Sequence, residues 1–345
     1  METEAALLVK PGKPLVVDEI EMPALKPGQV LIDITYSGAC HTQILEAKGF
    51  RGEDPWCPHC LGHEAVGFVS EISKGVTKVK EGDEVVLTWL KGDGADIGGT
   101  QYQWRGQKVN AGGVTTFARK SIVSENRLIV KPAYLDSRLA ILLGCAAPTG
   151  FGSVINVCEA NKGQGFIILG AGGVGLCAII AASYLGCDPI IAVDILPKKL
   201  DLAKQFGATH VINALDQNIL EVLHKITPHG VDFSIEATGN PKVMAKALSL
   251  VRSQGGKAVV IGNAKKDKLI TLDPNLFNQG KSLLGSWGGD SHPDRDFGKF
   301  SDIIVDKKHL LATLLSEPYK LSDINRVLVD LGTGKIGRPV IEMAL

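Results

Sequence analysis

The sequence predicts an α/β protein with two parts, a β-rich, barrel-like domain and a doubly wound parallel sheet. Three observations lead to this fold class. The chain has 345 residues, which is more than one typical domain needs. Its first stretch carries many short strand patterns between glycine and proline turns, and its middle stretch alternates buried strands with helices.

The first stretch, residues 1 to 146, is predicted to be rich in strands. Segment 29–36 alternates in polarity, with Val30, Ile32, Ile34 and Tyr36 on one face and Gln29, Asp33 and Thr35 on the other. Leu31 is the exception to this period of two. Further strands are predicted at Glu64–Ile72, Asp83–Leu87 and Arg127–Val130, with turns at 26–28, 81–83 and 91–94.

The middle stretch, residues 147 to 287, has the pattern of a parallel sheet. Phe166–Leu169 is a continuous apolar run, which is typical of a strand buried on both faces. A glycine turn follows, and then a helix from Gly172 to about Leu185 that Gly186 can end. The later predicted elements are strand Ile190–Val193, a helix over Leu200–Phe206, and strands His210–Ile212, Val231–Ile235, Ala258–Ile261 and Leu283–Leu284.

The last stretch, residues 288 to 345, contains two predicted helical segments and a strand over Pro339–Met343. It is too short to be a domain by itself, so we expect it to pack on the first stretch. The predicted domains are therefore 1–146 with 288–345, and 147–287 as an insertion between these two pieces.

Composition excludes several classes of protein. The 37 basic and 37 acidic residues balance, and no basic block indicates nucleic acid as a partner. No apolar run approaches the roughly 18 residues of a membrane span. The start Met1–Glu4 lacks the basic residues of a signal peptide, which predicts a cytoplasmic protein. Seven cysteines, an odd number, indicate thiols or metal ligands more than a disulfide framework.

The glycine turn matches the G-x-G-x-x-G fingerprint of dinucleotide-binding sites. Its members are Gly170, Ala171, Gly172, Gly173, Val174 and Gly175. We expect the first glycine to allow the turn, the second to admit a pyrophosphate, and the third to let helix and strand approach. A turn of this kind also occurs for structural reasons alone. Here it follows an apolar strand, and Asp194 lies 19 residues after Gly175, the spacing of the carboxylate that binds a ribose. Because a carboxylate repels the 2′-phosphate of NADP, the sequence predicts NAD as cofactor.

Three short segments of the first stretch carry a cysteine, a histidine or both: Cys40-His41-Thr42, Gly62-His63-Glu64 and Gly144-Cys145. Each alone is weak evidence, because a lone buried cysteine or histidine is more often structural than a metal ligand. With Gly144–Gly150, the glycine turn, Asp194 and Gly334–Arg338, they form five ordered motifs over the whole chain. In these motifs the sequence resembles the zinc-containing medium-chain alcohol dehydrogenases.

The resemblance implies a GroES-like catalytic domain and a Rossmann domain, with the active site in the cleft between them. It implies Cys40, His63 and Cys145 as ligands of one catalytic zinc per chain, with the fourth position left for water or substrate. Glu64 matches a carboxylate beside the metal, and Thr42 matches the hydroxyl that binds the substrate oxygen. The implied cofactor contacts are His41 and Arg338 to the pyrophosphate, Thr149 behind the nicotinamide and Lys199 at the adenosine ribose. Many relatives pair through the strand here near Lys281–Gly285, which predicts a homodimer or homotetramer.

The sequence departs from the family pattern at three places. The lobe Lys91–Gly113 contains no cysteine, so we expect no structural zinc there. Leu45 stands at the position of the usual proton-relay histidine, and we do not assign that role to the neighbouring Glu46. His41 is the nearest histidine in sequence that could replace the relay, although its pyrophosphate role would compete. Cys57 and Cys60 form a C-x-x-C pair without a second pair, which favours a structural interpretation and leaves a redox or adventitious metal role as the alternative.

The predicted reaction is hydride transfer between a primary or secondary alcohol and NAD. Two alternatives stay open, a carbonyl or sugar-derivative reductase that consumes NADH and a nucleotide-binding protein with an idle site. Trp104, Arg105 and the charged segment 287–297 either contact a polar substrate or form solvated turns. The sequence does not identify the alcohol or carbonyl compound that serves as substrate.

Overall fold

The computed structural model describes residues 1–344, which form two compact units. The first unit comprises Met1–Cys145 and His292–Leu345, and the second comprises Ala146–Ser291. The sequence predicted the breaks after residues 146 and 287. In the described chain no single helix is long and apolar enough to cross a membrane, although the bent pair 137–144 and 146–157 would be by length and composition.

The first unit contains a closed barrel and a mixed sheet. The barrel has the strand order β1-β2-β7-β8-β4, and the sheet has the order β10-β6-β5-β3-β18-β17, with β9 also paired to β3. The strands are β1 (Glu2–Leu8), β2 (Val16–Glu21), β3 (Gln29–Gly38), β4 (His59–Cys60), β5 (Glu64–Ile72), β6 (Glu84–Thr88), β7 (Gln101–Trp104), β8 (Gln107–Asn110), β9 (Lys120–Ser124), β10 (Leu128–Val130), β17 (Leu315–Tyr319) and β18 (Arg338–Glu342). The helices are α1 (His41–Ala47), α2 (Ser137–Ala140), α9 (Pro293–Asp306), α10 (Lys308–Leu314) and α11 (Ile324–Gly332).

The second unit is a six-stranded parallel sheet with helices, as the sequence predicted. Its strand order is β13-β12-β11-β14-β15-β16, and every pair is parallel. The strands are β11 (Phe166–Leu169), β12 (Ile190–Asp194), β13 (His210–Asn213), β14 (Phe233–Glu236), β15 (Lys257–Val260) and β16 (Ser282–Gly285). The helices are α3 (Ala146–Gly152), α4 (Gly173–Tyr184), α5 (Pro197–Gln205), α6 (Ile219–Ile226), α7 (Pro241–Leu250) and α8 (Asn275–Asn278).

The predicted alternation along β3 is wrong at Gln29. Its side chain is 1% exposed, and its Nε2 donates to Thr100 Oγ1 at 3.0 Å. Two register shifts against β5, after Leu31 and after Ile34, interrupt the period of two. Leu31 packs into the core under the barrel, whereas Ile32 packs into the other core, so both faces of this strand are buried.

The last stretch contains more structure than predicted. Three helices, α9, α10 and α11, replace the two predicted helical segments, and β17 precedes the expected terminal strand. Strand β18 pairs with β3 of the first stretch, which brings residues 338–342 beside residues 36–38. This pairing explains why the two sequence pieces form one unit.

Candidate metal and cofactor sites

Cys40 is the N-cap of α1 and has extended backbone torsion angles, φ −125° and ψ 164°. Its Sγ accepts a hydrogen bond from Thr42 N–H at 3.4 Å, and its own N–H donates to Gln43 Oε1 at 2.7 Å. This reciprocal capping arrangement fixes the sulfur relative to the helix. The sequence Cys-His-Thr-Gln therefore begins a helix and positions a thiol in one local structure.

His63 lies in the connection between β4 and β5, and Gln43 holds its ring. The Nδ1 atom of His63 is 2.5 Å from Gln43 Nε2, and Gln43 is 1% exposed. The other ring nitrogen, Nε2, is buried and has no hydrogen-bond partner in the described structure apart from the Cys40 sulfur. A buried nitrogen with an available coordination position is what a metal-binding imidazole requires. Sequence reasoning missed Gln43, because a glutamine three residues after a cysteine carries no metal signature.

Cys145 follows a 3₁₀ turn over Ile141–Gly144 and is 6% exposed. Thr88 Oγ1 donates to the Gly144 carbonyl at 2.9 Å, which ties this turn to the end of β6. A hydrogen bond between the two thiols lowers the pKa of Cys40 and raises the pKa of Cys145. The pair therefore favours one thiolate even in the absence of a cation.

The structure brings together the three residues that the sequence predicted as ligands. The sulfurs of Cys40 and Cys145 and a ring nitrogen of His63 all lie within 4.8 Å of one another. Two sulfur donors and one imidazole are the donor set of an open, tetrahedral zinc site. The Nε2 atom of His63 and the shared proton of the thiols both fit such an ion.

Glu64 and Arg338 form a buried ion pair next to His63. Glu64 Oε1 accepts from an Arg338 guanidinium nitrogen at 2.7 Å, and their side chains are 0% and 3% exposed. Burial raises the pKa of Glu64, and the guanidinium opposes this shift. Arg338 also donates to the Ala39 carbonyl at 3.2 Å, which is close to the Cys40 cap. The structure thus gives Arg338 a role beside the metal cluster, and its contact with a pyrophosphate stays a prediction.

His41 and Thr42 occupy the first turn of α1, with His41 exposed and Thr42 half-buried. Leu45, at the position of the usual relay histidine, is half-buried on the same helix. The roles of His41 at the cofactor and of Thr42 at the substrate stay predictions. The same is true of Thr149 on α3 and Lys199 on α5, which are both half-buried.

The glycine turn has the geometry that its spacing predicts. Gly170 has a φ of +101°, a conformation that favours glycine. A Cβ atom at Gly175 would lie 1.9 Å from the Gly170 carbonyl oxygen, so only glycine allows this approach. A Cβ atom at Gly172 would meet nothing within 4 Å. Gly172 is the N-cap of α4 without a side-chain cap, and Gly173 and Val174 follow it, half-buried. The backbone N–H groups at this helix end suit a phosphate group.

Asp194, at the end of β12, is bonded to the glycine turn. Its Oδ2 atom accepts from Ala171 N–H at 2.8 Å, and its Oδ1 atom accepts from Ile195 and Leu196 N–H at 2.8 and 3.0 Å. Oδ1 already accepts two hydrogen bonds, so Oδ2 is the oxygen that retains acceptor capacity for a ribose hydroxyl. The carboxylate therefore holds the turn in place, a role that the sequence did not reveal.

A cavity of about 990 Å³ reaches His63 within the first unit. Its wall includes Gln43, Glu46, Arg51, Asp54 and His59. Glu46 pairs with Arg51 at 3.1 Å, and burial raises the pKa of its carboxyl group. No sequence pattern placed Glu46 at this site, because its only notable feature was its adjacency to Leu45. The cavity offers charged and polar groups to a substrate.

Trp104 and Arg105 are engaged with Asp18. The Trp104 indole donates to the Asp18 carboxylate at 2.8 Å, and the Arg105 guanidinium donates to the same oxygen at 2.7 Å. The Arg105 guanidinium also stacks on the Trp104 ring, 4.9 Å from its centroid. These contacts favour the structural interpretation of both residues over a direct substrate contact.

Two family models match the chain. The model described as alcohol dehydrogenase GroES-like domain matches residues 26–133, and the model described as zinc-binding dehydrogenase matches residues 173–306. An S-(hydroxymethyl)glutathione dehydrogenase of Synechocystis sp. is 32% identical, with 99% of this chain and 100% of the relative covered. The enzyme of that name from Escherichia coli is 34% identical over 84% of this chain and 86% of its own length.

Solved structures agree with these matches. Benzyl alcohol dehydrogenase from Acinetobacter calcoaceticus has a TM-score of 0.90 at 28% identity, with 99% of both chains covered. An alcohol dehydrogenase zinc-binding domain protein from Burkholderia ambifaria has a TM-score of 0.91 at 28% identity, again with 99% of both chains covered. Together with the Cys-His-Cys cluster and the glycine turn, these likenesses make the chain a member of the zinc-containing medium-chain alcohol dehydrogenase family, an NAD-dependent and zinc-dependent oxidoreductase.

Proposed function

We propose that this enzyme oxidises a primary or secondary alcohol to an aldehyde or ketone at a zinc ion held by Cys40, His63 and Cys145. The carrying observation is that their donor atoms lie within 4.8 Å of one another, with the buried Nε2 of His63 lacking any other described partner. When bound, the zinc would polarise the substrate oxygen and lower the pKa of its hydroxyl group. The nicotinamide takes the hydride, so the protein positions and polarises the substrate.

The side chains around this cluster have separate roles in the proposal. Thr42, in the first turn of α1, accepts the hydrogen bond of the substrate hydroxyl and passes its proton onward. Glu64, held by Arg338 at 2.7 Å, keeps a negative charge beside the metal ligands. Gln43 orients the His63 ring through the 2.5 Å contact with Nδ1. These three residues therefore position the substrate hydroxyl, set the charge near the metal ligands and orient the His63 ring.

Cofactor selection is assigned to the second unit. The backbone of Gly172, Gly173 and Val174 binds the pyrophosphate, with His41 and Arg338 as further contacts, and Thr149 packs behind the nicotinamide. Asp194 binds the ribose hydroxyls, and Lys199 contacts the adenosine ribose. Because the Asp194 carboxylate would repel a 2′-phosphate, NAD is preferred over NADP. A location in the cytoplasm is part of this proposal, and the odd number of cysteines, which indicates thiols or metal ligands, supports it.

Metal analysis with an NADH absorbance assay tests the proposed function. Cys145→Ser should lose the zinc of this cluster and lose turnover with a panel of primary and secondary alcohols. Cys158→Ser changes a buried cysteine outside the cluster, so this variant should keep both the bound zinc and the turnover of alcohols. A wild-type protein that holds zinc at Cys40, His63 and Cys145 but turns over no alcohol or carbonyl compound would contradict the proposal.

A further inference from the structure

The loop after α1 and the first residue of β4 form a second cluster of potential metal ligands. Asp54, Cys57 and His59 each offer one donor atom, and these atoms all lie within 4.8 Å of one another. The Asp54 and His59 side chains are 17% and 15% exposed, so the cluster is largely withdrawn from water. None of the three belongs to the Cys40, His63 and Cys145 cluster.

The hydrogen bonds of His59 place its Nε2 atom, an acceptor in the neutral ring, against an acceptor oxygen of Asp54. Its Nδ1 atom lies 3.0 Å from the Cys60 carbonyl oxygen, which can only accept, so Nδ1 carries the ring proton. In the neutral ring, Nε2 then has a lone pair, and it lies 2.8 Å from Asp54 Oδ2. Two lone pairs at this distance repel each other unless a cation is present. That cation is either a second ring proton or a metal ion.

The position of Cys57 favours the metal ion. The Cys57 thiol hydrogen-bonds to Asp54, the same carboxylate that faces His59, so one sulfur, one nitrogen and one oxygen donor converge on one point. We propose that Asp54, Cys57 and His59 bind a second divalent cation of the zinc class. A thiolate, an imidazole and a carboxylate are a donor set for zinc, whereas magnesium and calcium prefer oxygen ligands. The bond from Nδ1 to the Cys60 carbonyl is the outer contact that typically orients a metal-binding histidine.

The charges of this site balance. Binding of the dication releases the Cys57 proton to solvent, and the thiolate and the Asp54 carboxylate then neutralise the ion. Three protein donors leave a fourth position for water. Asp54 and His59 both line the cavity that reaches His63, so the second metal would fasten the loop that forms this wall.

Cys60 is not part of this site, although it completes the C-x-x-C pattern with Cys57. It is 5% exposed and packs in the core beneath the barrel, where burial raises the pKa of its thiol to about 12. The chemically relevant partners of Cys57 are therefore Asp54 and His59.

Metal stoichiometry tests the inference without any measurement of turnover. Protein saturated with Zn²⁺ and dialysed against metal-free buffer should retain two ions per chain. Cys57→Ser and His59→Gln should each retain one, whereas Cys187→Ser, a cysteine change outside both clusters, should retain two. Cys40→Ser should also retain one ion, at the loop. Asp54→Asn is a smaller change and should weaken the binding of the second ion. Circular dichroism should confirm that each variant is folded.

Substitution with Co²⁺ then distinguishes the two sites by their thiolate-to-cobalt absorption. In Cys57→Ser the remaining band should come from two thiolates, and in Cys40→Ser it should include the single Cys57 thiolate. Wild-type protein that retains only one ion, lost in Cys40→Ser and unchanged in Cys57→Ser and His59→Gln, would overturn the second site. It would identify the His59–Asp54 contact as a proton-mediated ion pair, and it would leave the proposed catalytic site intact.

Discussion

At the scale of single residues, Gln43 connects the two parts of the catalytic metal cluster. Its carboxamide accepts from Cys40 N–H at 2.7 Å and lies 2.5 Å from His63 Nδ1. One buried side chain thus fixes both the helix that presents a thiol and the imidazole that faces it. The Gln43 atom that faces Nδ1 is the amide nitrogen, which donates. Metal coordination through Nε2 requires the ring proton on Nδ1, so it would require the Gln43 carboxamide to turn and offer its oxygen to Nδ1.

Two substitutions at Gln43 test whether its hydrogen bond to the His63 ring supports zinc binding. Gln43→Leu removes the partner of Nδ1, and zinc affinity should fall about 10- to 100-fold, the usual effect of losing an outer contact of a metal-binding histidine. Gln43→Glu keeps the shape and offers two acceptor oxygens, so its zinc affinity should equal or exceed that of the wild type. Competition with a zinc chelator measures both. Equal affinity in the wild type and the leucine variant would show that the ring needs no such partner.

The metal ligands were predictable from sequence, but most of their neighbours were not. Cys40, His63 and Cys145 stand in recognisable motifs, so their approach in the fold was expected. Gln43, Glu46 and Asp54 have no motif, and only the folded chain brings helix α1 and the segment after it to the cavity wall. The same limit applies to Cys57, whose spacing to Cys60 suggested a pair while its contacts are made with Asp54 and His59.

At the scale of elements, the glycine turn and helix α4 depend on each other for their geometry. The predicted helix from Gly172 to Leu185 is observed as Gly173–Tyr184, with Gly172 as N-cap and Gly186 in the expected left-handed conformation at φ +73°. The third glycine of the motif allows the contact between helix and turn, and the second leaves open space.

The different surroundings of Gly172 and Gly175 allow a matched pair of substitutions. Gly172→Ala places a methyl group in open space at a φ of −81°, so the free energy of unfolding should change by less than about 0.5 kcal/mol. NAD affinity should nevertheless fall at least about tenfold, because the methyl group occupies the approach of the pyrophosphate. Gly175→Ala should instead destabilise the protein by about 1–3 kcal/mol, because its methyl group overlaps the Gly170 carbonyl oxygen.

Calorimetric titration with NAD and urea unfolding measure the two effects. Unchanged NAD affinity in Gly172→Ala would contradict the assignment of the pyrophosphate to this turn. Unchanged stability in Gly175→Ala would mean that the turn can move away from the helix.

Strand prediction succeeded where polarity was regular and failed elsewhere. Strand β5 has the predicted bounds, Glu64–Ile72, because its apolar residues and flanking turns are clear. Strand β17 was missed, because Glu317 and Pro318 interrupt its apolar pattern. The alternation along β3 failed because register shifts and a second core bury both of its faces.

At the scale of the whole molecule, the parallel sheet of the second unit ends in an exposed strand. Strand β16 lies at the edge of the sheet, and its residues Ser282 and Gly285 are exposed. Leu269, Phe277 and Trp287 are nearby in sequence and are exposed by 87%, 46% and 75%. An unpaired edge with apolar neighbours tends to associate, so we expect the protein to form a homodimer or homotetramer through β16.

A charge placed on this edge should prevent association. A Cβ atom at Gly285 meets nothing within 4 Å, so Gly285→Lys fits the fold while its charge opposes strand pairing. Gly298→Lys is the matched control, because Gly298 is also exposed with open space around its Cβ. Light scattering at micromolar concentration should give an oligomer for the wild type and the control, and a monomer for Gly285→Lys. A monomeric wild type would rule out assembly at this edge.

The ion pair between Glu64 and Arg338 joins two residues that are made at very different times during protein synthesis. The two residues are 274 positions apart, and the ribosome makes the whole second unit between them. Cys40, His63 and Cys145 have all been synthesised by then, but β3 still lacks β18 and the buried Glu64 carboxylate still lacks its cation. A buried charge without its partner is strongly unfavourable. We therefore expect the nascent first stretch to close around a charged Glu64 only after translation has passed Arg338.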